Sequence, residues 1–144
     1  MKTTLTLVLL STTLLAAPAA PKWQPDPPIA CSSCAEWNAP RAPFRVFGNT
    51  YFVGPAGLGS VLVTSDAGHV LLDGALPQSA PLIDAHIRAL GFRTEDVRVI
   101  VNSHAHFDHA GGIAALQRAS GAEVAAMSWS AEVLRKGASI PGDP

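Results

Sequence analysis

The spacing of hydrophobic and polar positions changes several times along the chain, and each change marks an element. Leu5–Ala17 is apolar or hydroxyl-bearing without a break. Residues 21–43 then mix Pro21, Pro25, Pro27, Pro28, Pro40 and Pro43 with polar and aromatic residues. Proline fixes φ and removes a backbone donor, so an extended arm is expected there rather than a helix or a central strand. Phe44–Val53, Val61–Ser65 and His69–Asp73 are β-branched or aromatic runs, punctuated by Gly48-Asn49, Gly54-Pro55 and Asp66-Ala67-Gly68. They predict a meander of short strands. From Ser79 to Leu90 the period becomes helical, with Leu82, Ile83, His86, Ile87 and Leu90 recurring on one face. Ser79 falls in the N-cap region and Gly91 at the C-cap. Val97–Val101 reads as a buried strand, and a polar loop runs from Asn102 to His109. A helix from about Gly112 to Ala119, stopped by Gly121, a strand Glu123–Met127 and a short helix Ser130–Lys136 complete the order. A meander followed by alternating helix and strand predicts a layered α/β domain with mixed sheets.

Composition narrows the possibilities. A chain of 144 residues is one domain at most. With 48% hydrophobic and only 15% charged residues it is not disordered throughout. Ten Lys+Arg against eleven Asp+Glu, with no basic run, exclude a basic nucleic-acid binder. Met1-Lys2, the apolar run and Ala16-Ala17-Pro18-Ala19-Ala20 have the three regions of a secretory signal peptide, with cleavage expected after Ala19. The run is too short to cross a bilayer. The organisation expected is a signal peptide over residues 1–19, a Pro-rich arm over 20–43 and a folded part over 44–144. The destination is periplasmic or secreted, with no membrane contact after cleavage. Cys31-x-x-Cys34 lacks the preceding strand and following helix of a thioredoxin-like motif. In an oxidising compartment a local disulfide or two free thiols fits it better than redox chemistry.

The chemistry concentrates in Asn102-Ser103-His104-Ala105-His106-Phe107-Asp108-His109-Ala110-Gly111-Gly112, where three of the five His residues and one Asp occupy six consecutive positions. In extended chain, residues i, i+2 and i+4 face one side, so His104, His106 and Asp108 are expected to converge as the strand frays. His109 joins them where the chain turns at the Gly pair. Imidazole nitrogens beside a carboxylate suit a borderline metal such as zinc. The two glycines remove Cβ atoms where backbone passes close to the site. There is no Ser-x-x-Lys, so this serine-nucleophile motif is absent from the chain.

This H-x-H-x-D-H stretch resembles the signature of the metallo-β-lactamase superfamily. Its flanks, among them Cys34-Ala35-Glu36-Trp37-Asn38, Pro43–Gly54, Gly68–Leu76 and Leu90-Gly91-Phe92, look like subclass B3 enzymes. His109 agrees with B3, since B1 enzymes usually carry Arg there and B2 enzymes replace the first His with Asn. The resemblance covers essentially everything after the leader. It implies an αβ/βα sandwich with metals at the lip between two sheets, of which only the N-terminal αβ half is present. It also implies His104 and His106 on one zinc ion, Asp108 and His109 on a second, and water activated between them for attack on a β-lactam carbonyl. Asp108 would orient that water, which makes it the catalytic residue, and the partner would be a small-molecule β-lactam met by a monomer.

Two further His ligands are expected well downstream in such enzymes, and no His follows His109. The chain is therefore expected to be the N-terminal part of a longer protein and inactive alone. Two alternatives accompany this expectation: a hydrolase of a lactone, ester or thioester, or a non-catalytic fragment. Weaker candidates surround the motif. Asp73 either holds metal ligands in place or caps a turn before Gly74. Ser103 has position alone in its favour. Trp37 either lines a substrate groove or packs in the core. His69 reads as a turn residue and His86 as a partly buried helix residue, neither of them a ligand.

Overall fold

The computed structural model describes residues 23–138 and residue 141. The expected signal peptide lies outside the described residues. Six strands form one sheet in chain order: β1 (Phe44–Phe47), β2 (Thr50–Phe52), β3 (Val61–Val63), β4 (His69–Leu72), β5 (Val97–Val101) and β6 (Glu123–Ala125). β1 to β4 run antiparallel as the predicted meander, and β5 and β6 then add in parallel to β4. Parallel neighbours need a crossover. Helix α2 (Ala80–Ala89) lies between β4 and β5, and helix α4 (Ile113–Ser120) between β5 and β6. The fold is the expected α/β half, one mixed sheet with helices packed against it.

Register explains the two faces. One cross-strand row runs Tyr51, Leu62, Leu71, Ile100 and Val124. It packs into a core with Ile83 and Ile87 of α2 and Leu116 of α4. The opposite row runs Phe44, Phe52, Val61, Leu72, Val101 and Ala125, apolar at every position. Phe44 and Leu72 remain 40% and 39% exposed, so this row is apolar without being covered. A strand that reads apolar on both faces is the pattern of a sheet buried from both sides.

Several boundaries differ from the sequence reading. The arm contains helix α1 (Cys34–Trp37), one turn where an extended arm was expected. The chain between Cys31 and Asn38 contains no proline, so nothing there forbids the turn, and Cys31 and Cys34 are joined as a disulfide across it. Helix α5 (Ser128–Lys136) starts two residues before the expected Ser130. β6 ends at Ala125 rather than Met127. His69 opens β4 instead of sitting in the turn, with its ring edge-on to Phe92 at 5.4 Å. His86 is buried, with Nδ1 2.9 Å from the Val53 carbonyl. Among the described residues no helix is long and apolar enough to cross a membrane.

Candidate metal centre

The site stands at the carboxyl ends of β4 and β5, where both strands run out into loops. Asn102 still belongs to the sheet through its N–H, which donates to the Ala125 carbonyl at 2.8 Å. The chain then turns, and helix α3 (Phe107–Ala110) begins earlier than expected, inside the stretch read as loop. The predicted convergence therefore happens by a different backbone path. His104 and His106 come from the extended part, whereas Asp108 and His109 project from the first turn of α3. The ligand atoms of His104, His106 and Asp108 lie within 4.8 Å of one another.

His109 is not in that trio but stands beside it. Its ring centre is 4.0 Å from that of His104, and its Nε2 is 3.5 Å from Oδ2 of Asp108. The His104 and His106 rings lie edge to face at 4.8 Å. All four candidate ligands thus occupy one cluster, partly buried.

Asp73 ties the end of β4 to this cluster. Its buried carboxylate accepts from the Ser103 N–H at 2.8 Å and the Ser103 hydroxyl at 2.6 Å. Nδ1 of His109 stands 2.9 Å from the same carboxylate. A proton on Nδ1 facing the carboxylate leaves Nε2 with its lone pair outward, the form a metal needs. Asp73 therefore holds the loop and the ring of His109, and Ser103 is drawn into the same network. Asn102, buried with its side-chain N–H₂ 2.7 Å from the His104 carbonyl, was not singled out by sequence. Its only prior signal was its place between a buried strand and the first His.

The backbone around Asp73 is bent to make these contacts. Asp73 and Ala75 have φ of 57° and 54°, a left-handed conformation that side chains with a Cβ disfavour. Between them Gly74 donates its N–H to the His109 carbonyl at 2.8 Å. A Cβ on Gly74 would stand 2.6 Å from the Ile113 nitrogen. Gly112 donates to the Ala75 carbonyl at 3.1 Å. A Cβ on Gly111 would stand 2.6 Å from the Phe107 carbonyl, so the Gly pair permits the close passage read from the sequence.

The residues fit a metal ion by their own chemistry. Oδ1 of Asp108 is buried and has no hydrogen-bond partner among the described residues. A carboxylate oxygen stripped of water needs a cation or a donor. Two imidazoles beside it make a nitrogen and oxygen donor set of the kind zinc prefers. Trp37 lies outside this network: it packs half-buried against the core, and a Cβ on Gly57 would stand 2.5 Å from its Cα.

The chain is similar to several known proteins. Residues 53–141 match the profile of the family described as the metallo-beta-lactamase superfamily. Among solved structures, the Rm3 metallo-beta-lactamase is 62% identical with a TM-score of 0.75, over 78% of this chain and 42% of that one. MEM-A1, a subclass B3 metallo-beta-lactamase from a soil metagenome library, is 58% identical with a TM-score of 0.72, over 75% and 41%. MIM-1 from Novosphingobium pentaromativorans is 50% identical with a TM-score of 0.71, over 75% and 40%. The chain spans about two fifths of the solved chains it matches.

Proposed function

The chain belongs to the metallo-beta-lactamase superfamily, and from that premise we propose that it contributes the H-x-H-x-D-H half of a zinc hydrolase that opens β-lactam rings. The observation that carries this reading is the buried, unpartnered Oδ1 of Asp108, on a carboxylate that brings an oxygen within 4.8 Å of ligand nitrogens of His104 and His106. His104 and His106 would hold one zinc ion, and Asp108 with Nε2 of His109 a second. Bound zinc would supply Lewis acidity toward the lactam carbonyl and an acidified water. The chain's own residues set the geometry. Asp73 would fix the His109 tautomer, Ser103 ties the loop to Asp73, and the Asp108 oxygen not taken up by metal would orient the attacking water. Similarity to metallo-beta-lactamases at 50–62% identity, one of them described as subclass B3, supports the β-lactam as substrate over a lactone, ester or thioester.

Two ions with three protein ligands each ask for six donors, and this loop offers four. The uncovered apolar row from Phe44 to Ala125 also supports a further layer of polypeptide against that face in the complete domain. The activity therefore belongs to the complete domain, and the 144 residues alone are inactive. Export through residues 1–19 to the periplasm or beyond is part of the same reading, supported by the Cys31–Cys34 disulfide. The test joins this chain to the unmatched remainder of the Rm3 enzyme and compares a carbapenem with a lactone, with and without chelator. Chelator-sensitive carbapenem opening supports the proposal. A folded, zinc-loaded chimera that opens only the lactone, or neither substrate, refutes it.

A further inference from the structure

We propose that Asn102 is a positioning residue that sets the backbone of His104, independently of the contact that sets His109. The inference rests on the metal-centre reading above. Asn102 is only 3% exposed, at the point where β5 leaves the sheet. Its backbone N–H is committed to Ala125 at 2.8 Å, which fixes the residue to β6. Both side-chain N–H bonds face acceptors: the His104 carbonyl at 2.7 Å and Oδ1 of Asp73 at 3.3 Å. An amide has two donors on nitrogen and none on oxygen, so only this orientation satisfies the two acceptors.

The two ends of the metal loop thus hang on one carboxylate by separate routes. His109 reaches Asp73 directly through Nδ1 at 2.9 Å. His104 reaches it through the amide of Asn102, which grips the main chain of the ligand rather than its ring. A second observation points the same way. Oδ1 of Asn102 is buried with no donor among the described residues. A buried polar side chain with one atom unsatisfied is a poor choice for stability, and an apolar residue would serve a strand end better. Its presence is explained by the direction it imposes on His104.

Cobalt(II) titration of the 144-residue chain, followed by visible absorption, tests this, with circular dichroism and thermal melting run on each variant. Asn102→Ala removes both donors, and Asn102→Asp keeps the shape while setting a second carboxylate against Asp73. Ile83→Val is the control, a change in the core on α2. Both Asn102 variants are expected to bind cobalt about tenfold more weakly with shifted absorption bands, while Ile83→Val lowers the melting temperature and leaves both unchanged. Wild-type affinity and spectrum in the Asn102 variants would overturn the inference, and so would an equal change in Ile83→Val. Loss of folding in both variants would assign Asn102 to the fold instead. If the unsubstituted chain takes up no cobalt, the metal-centre reading falls first and takes this one with it.

Discussion

The carboxylate of Asp73 stands 2.9 Å from Nδ1 of His109, although 36 residues separate them in sequence. That contact joins the end of β4 to the first turn of α3, and a proton on Nδ1 facing the carboxylate leaves the lone pair of His109 on Nε2. Asp73→Asn would keep the size of the side chain and lose the charged acceptor. Zinc affinity is expected to fall about 10–100-fold, the usual cost of losing such a partner. Competition against a chromophoric chelator measures it, and unchanged affinity would show that the contact does not support the site.

Gly74 lies where β4 passes the start of α4, between two residues forced to positive φ. In Gly74→Ala the new Cβ meets main-chain atoms, the Ile113 nitrogen at 2.6 Å and the Gly112 carbonyl carbon at 2.8 Å. Backbone cannot move aside as a side-chain tip can. The expected loss is about 2 kcal/mol or more in urea unfolding, with weakened zinc binding. A neutral result would mean that this loop is far softer than its contacts imply.

On α2, Arg88 bridges Asp84 at 3.0 Å and Glu95 at 2.8 Å, and Thr94 adds its hydroxyl to Asp84. The hydrogen bond from Arg88 holds the Glu95 carboxyl below its ordinary value of 4.5. A depressed carboxyl contributes stability that is complete above its unfolded value and is lost as pH falls through its folded one. Arg88→Ala should therefore lower the melting temperature slightly at neutral pH, since the cluster is largely exposed. The difference from wild type should vanish in acid below the carboxylate range. A difference that persists there would assign the effect to packing of the arginine stem.

Four donors do not complete two zinc sites, and the row from Phe44 to Ala125 lies open. Purified residues 20–144 are expected to show no β-lactam turnover at any zinc concentration. Spectrophotometric assay with a carbapenem checks this, and robust chelator-sensitive turnover would refute the half-site account.

What could be read from sequence follows from physical scale. Val61–Val63, Val97–Val101 and the helices around Ile83 and Leu116 were legible because burial imposes a local period on side chains a few residues apart. The cluster of His104, His106 and Asp108 was legible because residue type alone restricts its chemistry, even though the extended path assumed for Asp108 was wrong. Helix α1 was hidden by the prolines around it. The roles of Asp73 and Asn102 were hidden for another reason: a polar residue at a strand end does not announce its partner. Asp73 meets Asn102, Ser103 and His109 only after β4 and β5 pair in parallel, 29 to 36 residues apart. Trp37 packs half-buried against the core, the commoner place for an aromatic residue.

Zinc binding to the 144-residue chain, followed by chelator competition, asks whether the loop from His104 to His109 takes the metal. Measurable binding is expected, which His104→Ala, His106→Ala and Asp108→Ala each weaken strongly and His69→Ala leaves intact. No zinc uptake by the folded chain, or uptake indifferent to those three substitutions, would overturn the metal-centre reading.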